Sequence, residues 1–269
     1  MKKVILSVAV VSALLAGTAA KAQLIDEQNV TVTMDLQPIL QLNMNGSQNV
    51  DFIFDQISEY VGGITQYGAT QLNVSSTVSW DLYAAAFSSN AASGTSLTWD
   101  NQVVYGEGND GNATTALPLS LLELHQDKDN PDNTDSGSSG VDDYYTPFQT
   151  STTSIGVSNV YCTSAPYARP NAGSKYIAGG NADSDFVVGG TYLVLQGGQV
   201  GANSNYSYTI DYRIVPGLPA VFPRSSDMTT NDGNSNTADD LTSFGAGTTD
   251  TYARPGVYTA NVKYILVEN

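Results

Sequence analysis

The residues of this chain best equipped for chemistry are hard oxygens rather than nucleophiles. Asp127-Lys-Asp129-Asn-Pro-Asp132-Asn-Thr-Asp135 places four carboxylates and two carboxamides within nine residues. Calcium is held by about six to eight such oxygens, so Asp127, Asp129, Asp132 and Asp135 are the candidate metal ligands. The spacing is not that of an EF-hand loop. Counted from Asp127, Pro131 falls where a side-chain ligand belongs, Asp132 where glycine belongs and Ser138 where the bidentate Glu belongs. The plainer reading of this stretch is a solvated acidic loop. Asp232, Asn234, Asn236, Asp239 and Asp240 form a weaker second set of the same type.

Nucleophilic catalysis finds little support. His125 is the single histidine, and no Gly-x-Ser-x-Gly elbow accompanies it. One histidine and one distant cysteine cannot supply a zinc ligand set. No catalytic residue is assigned, and the chain is read as a non-enzyme. Cys162, alone in the sequence, sits in Val160-Tyr-Cys-Thr163 and reads as a small buried residue of a strand. Tyrosine supplies 16 of the 25 aromatic residues. Tyr144, Tyr145, Tyr161, Tyr167 and Tyr176 fall outside the alternating strands, where they could form a sugar-stacking platform or pack loops onto a sheet.

The elements that must position these groups are strands. Thr, Val, Tyr, Ser, Asn and Gly dominate, and turn clusters recur, the profile of a sandwich or barrel. Period-two alternation is clear at Asn29 to Met34, continuing past Pro38 to Met44, and twice within Leu72 to Phe87, where Trp80 is the natural core anchor, while Val50 to Phe54 reads as a short strand. Gly190 to Gln196 reads as a strand bracketed by glycine pairs, and alternation is clearest at Ser204 to Val215, which Pro216-Gly217 ends. Leu117 to Leu124 fits a short helix or an apolar strand equally. The chain closes on Gly256-Val-Tyr-Thr-Ala-Asn-Val-Lys-Tyr-Ile-Leu-Val-Glu-Asn269, with Tyr258, Ala260, Val262, Tyr264 and Leu266 on one side. Gln126 to Asp143 and Thr229 to Asp240 are polar connections, and the first is the best place for a domain boundary.

Met1 to Ala22 has the charged start, apolar core and Ala20-Lys-Ala22 cleavage pattern of a secretory signal peptide. The expectation is an exported chain of residues 23–269 forming one all-β domain, secreted or held at the cell surface. Removing Lys2, Lys3 and Lys21 leaves 7 basic against 26 acidic residues, about −19 in place of the −16 of the whole chain. Such acidity repels nucleic acid and anionic membranes and favours solubility. No transmembrane segment is read, since no run reaches the roughly 18 apolar residues needed.

Two regions carry a family resemblance: Gly256 through Val267, and Asn29 to Met44. Together they resemble secreted bacterial pilin-like proteins, including chaperone–usher subunits, whose closing strand opens with a glycine at the fourteenth position from the end. The resemblance implies an immunoglobulin-like antiparallel β-sandwich, here with long acidic loop insertions. It departs at Glu268, where those subunits carry an aromatic residue, and in offering no disulfide. What it implies is a structural or adhesive surface protein, a fibre subunit joining itself or other surface subunits by strand addition. Val30, Val32, Met34 and Leu36 have the period of a donor strand; Gly256, Tyr258, Val262, Tyr264 and Leu266 belong to the closing strand. The alternative is a secreted carbohydrate- or calcium-binding module with a glycan ligand.

Overall fold

The computed structural model describes residues 28, 30–88, 97–105, 113–115, 117–131, 143–149, 158–163, 168–171, 174–193, 204–215, 225–226, 238–239 and 252–269. The signal-peptide reading, Asp132, Asp135, Tyr167 and most of the second acidic set lie outside these residues. The chain divides into two units, 1–37 and 38–269. In the first, residues 30–37 carry neither helix nor strand, and all are exposed. The strand expected at Asn29 to Met34 is therefore not formed: alternation sets which side chains share a face, but only a hydrogen-bonded neighbour makes a strand.

Among the described residues of the second unit the fold is all-β and mostly antiparallel, with one short α-helix. β1 (Leu40–Gly46) pairs along its whole length with β2 (Ile64–Ser76). β8 (Ser207–Ile214) follows β2, and β6 (Leu122–Gln126) completes the order β1-β2-β8-β6. β7 (Gly190–Thr191) adds a brief pairing to the end of β2. Leu117 to Leu124 resolves into both of its expected forms, a 3-10 turn at Leu119–Leu121 running into β6.

A second layer is built on β3 (Trp80–Phe87), which pairs with β13 (Asn261–Glu268) from Trp80↔Glu268 to Phe87↔Asn261. β4 (Asp100–Val104) continues the direction of β3 and pairs with β12 (Gly256–Thr259). β5 (Ala113–Thr114) and β11 (Tyr252–Ala253) form a two-residue parallel pair, and β9 (Ser225–Ser226) pairs with β10 (Ala238–Asp239). The closing strand is thus present as expected, broken once at Ala260.

Alternate residues of both layers meet in one buried cluster. β2 gives Leu72 and Val74, β8 gives Tyr208, Ile210, Tyr212 and Ile214, and β3 gives Trp80, Leu82, Ala84 and Ala86. Cys162 joins the same cluster, and burial pushes its thiol up, away from thiolate. The second face of β3 is also covered, which explains the three consecutive alanines: a central strand packed on both sides leaves little volume for side chains.

Local chemistry fixes the irregular points. Gly68 has φ +60° where the β2–β8 register shifts, and its N–H donates to Asp211 Oδ1 at 2.6 Å. The helix α1 (Ile57–Gly62) was not legible in the periodicity. It starts because Glu59 Oε2 accepts the N–H groups of Asp55 and Gln56 at 2.7 and 2.9 Å. Among the described residues no helix is long and apolar enough to cross a membrane.

Candidate strand-assembly site

Burial falls away on one side of the second layer. Trp80, Leu82, Ala84 and Ala86 of β3 are all 0 % exposed. Val262, Tyr264 and Leu266 of β13 pack against the same cluster but remain half-buried, as does Ala260 at the strand break. Leu42 of β1 and Val50, Phe52 and Phe54 beyond it behave likewise. Val50 to Phe54, expected as a short strand, is in no ladder, although Asp51 and Ile53 are exposed between its three inward residues. Among the described residues β13 pairs only with β3, β12 only with β4 and β1 only with β2. β1 and β13 approach each other without pairing. Among the described residues, then, no strand pairs with the outer edge of β12 and β13, the seam that borders the core.

At one end of this seam lies a cavity of about 540 Å³, between Val50–Phe54 and Gly256–Thr259. Its aromatic walls are Phe52, Phe54, Tyr60, Trp99, Tyr105 and Tyr258. Their polar tips are largely tied back: Trp99 Nε1 donates to Pro118 O at 3.0 Å, and Tyr258 OH to Arg254 O at 2.5 Å. The rings are thereby held in place with apolar surface facing the cavity. Gly256 is required by close approach, since a Cβ there would run into the Val103 carbonyl of β4.

Tyr264 anchors the open strand to the first layer. Its hydroxyl meets Tyr212 OH at 2.5 Å, and Tyr212 OH meets Thr70 Oγ1 at 2.8 Å. Burial, and then the neighbouring phenol, hold Tyr264 well above the usual tyrosine range. In the first unit, Val30, Val32, Met34 and Leu36 are 86, 84, 76 and 81 % exposed.

The acidic loop is stitched to the sheet by hydrogen bonds. Asp127 Oδ1 accepts the Thr209 N–H at 2.7 Å, and Lys128 Nζ donates to Ser204 O at 2.6 Å. Asn130 exchanges two bonds with the Gly179 backbone, at 2.7 and 2.9 Å. Asp129 lies beside Asp143, whose carboxyl is raised first by burial. Of the four candidate calcium ligands, Asp127 and Asp129 are thus placed. Among the described residues no group of three or more potential ligand side chains converges.

Among the described residues the loop tyrosines form no shared platform. Tyr144 and Tyr176 are buried, the first accepting the Tyr161 N–H at 3.0 Å, the second donating to Pro170 O at 2.9 Å. Tyr145 is exposed. These rings pack loops onto the sheet because the loops supply carbonyl and N–H partners for their polar tips. The aromatic cavity went unseen in the sequence, although the Val-x-Phe-x-Phe alternation at 50–54 and Trp99 were its available signals.

His125 Nδ1 lies 2.8 Å from Asp211 Oδ2, a pairing found in catalytic triads. Here the other Asp211 oxygen is taken by the Gly68 N–H, and Phe148 covers the imidazole at 5.7 Å between centroids. No Ser, Thr or Cys bonds the ring among the described residues. The arrangement secures the β2 bulge. No protein-family model matches the chain, and no curated protein matches it.

Proposed function

We propose that this chain is an exported structural or adhesive protein of the cell surface, a subunit that associates with further copies by strand addition. The observation that carries the reading is the edge of β12 and β13, unpaired among the described residues and lined by half-buried apolar side chains, in a chain that also holds four exposed apolar residues at strand spacing. An unpaired edge presents N–H and C=O groups that an extended segment can satisfy, while alternate side chains enter the groove. The strand order supports an immunoglobulin-like sandwich. β1-β2-β8-β6 corresponds to the A-B-E-D sheet, and β3–β13 to C–F, with no strand in the G position among the described residues.

Magnitudes favour the same reading. Burying Val30, Val32, Met34 and Leu36 at about 1.5–3 kcal/mol each gives roughly 6–12 kcal/mol before ordering costs. Seven extended residues span about 23 Å, well within the roughly 43 Å of the thirteen residues of the closing strand. The test is the mass distribution of residues 23–269 by analytical ultracentrifugation, with electron microscopy of the labelled cell surface. Association that disappears in a Val32→Asp, Met34→Asp double variant supports the reading. Identical monomeric profiles for both proteins would overturn it.

A second reading, a carbohydrate-binding module, draws on the aromatic cavity. Apolar sugar faces stack on such rings. Retention on polysaccharide that is lost in Trp99→Ala, in a protein that stays monomeric, would favour it.

A further inference from the structure

A second edge belongs to the other sheet, on the outer side of β1. The ladder with β2 fixes which backbone groups of β1 turn outward. Thr77 N–H donates to Ile39 O at 2.9 Å and Ser47 N–H to Ala69 O at 3.2 Å, one at each end of the same register. Between them, Val74 gives its N–H to Tyr206 O on the far side of β2 at 2.8 Å. Hydrogen-bonded pairs alternate with the others along an antiparallel ladder, so Gln41, Asn43 and Asn45 turn their N–H and C=O groups to β2. Those of Leu40, Leu42, Met44 and Gly46 turn away from it, and no strand among the described residues pairs with them.

This edge carries none of the features that keep sheet edges apart. Leu40-Gln-Leu-Asn-Met-Asn-Gly46 holds no charged residue and no proline, and its register with β2 is unbroken by a bulge. Leu42 packs against the buried cluster, while Leu40 and Met44 on the same face are 37 and 48 % exposed. The other face is a row of amides, Gln41, Asn43 and Asn45. Gln41 Nε2 donates to Asn43 Oδ1 at 3.0 Å, and the Asn43 amide group can donate in turn.

The strand is complementary to itself. Turned about a two-fold axis through Asn43, it sets Leu42 opposite Met44 of a second copy, Leu40 opposite Gly46 and Gln41 opposite Asn45. Apolar residues then meet on the core side and amides meet on the other. The backbone agrees: Leu42–Met44 and Leu40–Gly46 become the hydrogen-bonded pairs and use every outward N–H and C=O. Asn43 meets its own counterpart in a pair without backbone bonds, where side chains approach most closely. An axis through Leu42 or Met44 would leave Gly46 or Leu40 with nothing opposite within the strand. The chain carries a net charge of −16, so copies repel over most of their surface, and an uncharged strip is where they can meet.

We infer that the outer edge of β1 is an interface with a second copy of this chain, paired antiparallel about Asn43, so that the β1-β2-β8-β6 sheets of two copies run on as one. The contact is isologous and closes at two copies. Addition of residues 30–36 to the β12–β13 edge is instead heterologous and continues from copy to copy. The β1 pairing stands whether or not that reading holds.

The test is oxidative cross-linking of residues 23–269 carrying Asn43→Cys, Gln41→Cys or Asn45→Cys one at a time, read on non-reducing gels. Across the axis the Asn43 Cα atoms stand about 4.5 Å apart, within the reach of a disulfide, whereas residues 41 and 45 lie more than about 13 Å from their counterparts. Cys162 is buried and does not compete. Asn43→Cys should link into dimers at several times the yield of either neighbour, and should do so equally in the Val32→Asp, Met34→Asp background. Linkage no greater at 43 than at 41 and 45 would overturn the pairing. So would its loss in that background, which would assign the contact to strand addition. The wild type gives a second readout where a variant does not fold. Its Leu42 and Met44 N–H groups should resist hydrogen exchange in the dimer and exchange rapidly in the monomer. A wild type that stays monomeric, or a dimer in which those two amides exchange rapidly, would overturn the inference.

Discussion

Removing the Glu123 carboxylate should destabilise the protein more than the removal of its partner and itself together. Glu123 on β6 stands directly across from Arg213 on β8. Both are buried, at 1 and 4 % exposure. Arg213 Nε donates to Glu123 Oε2 at 2.6 Å, Nη1 donates to Gln149 O at 2.9 Å, and the guanidinium lies 4.7 Å from the Phe148 ring centroid. Glu123→Ala strands a buried cation, at a cost of about 3–5 kcal/mol. At about 2–4 °C per kcal/mol for a domain of this size, the melting temperature should fall by roughly 6–20 °C. Replacing the pair by Leu and Met in Glu123→Leu, Arg213→Met should recover most of that loss, because apolar neighbours of similar volume need no compensation. Urea unfolding of the wild type, both single variants and the double variant gives the coupling energy directly. A cost below about 1 kcal/mol for Glu123→Ala would refute the reasoning, and so would a double variant no more stable than the worse single one.

Other expectations concern single groups. Cys162 is buried with its thiol pushed up, so it should resist maleimide at pH 8 in the folded protein and react fully in urea; equal rates in both states would contradict that burial. Gly256→Ala should part β4 from β12 and leave β3–β13 paired, read as hydrogen-exchange protection lost at 100–104 and 256–259 and kept at 80–87 and 261–268; unchanged protection at the first two would show that the backbone accommodates a methyl group.

The closing strand, β8 and parts of β2 and β3 were legible because apolar residues recur there at alternate positions, as at Leu72 and Val74, Trp80 and Leu82, Tyr208 to Ile214 and Val262 to Leu266. Trp80 as core anchor followed from size and position. What escaped depended on distant partners. Helix α1 rests on one carboxylate reaching two N–H groups, a signal too short for periodicity. β4 is defined by pairing with a strand more than a hundred residues on. Residues 30–36 carry a strand's alternation and form none, because pairing is decided by geometry that composition does not contain. The cavity combines 50–54, 99–105 and 253–259, three stretches no linear pattern links. The loop tyrosines show the converse: rings that could serve a ligand are instead held by nearby backbone groups.

The pairing of β3 with β13 sets the order in which this protein can be made. Trp80 meets Glu268 across roughly 190 residues of chain, among the longest loops to close and therefore slow to form. Until residues 261–268 are available, β3 has no neighbour on that edge and the buried cluster lacks Val262, Tyr264 and Leu266. Deletion of 261–268 is therefore expected to act as a folding block rather than as a surface trim.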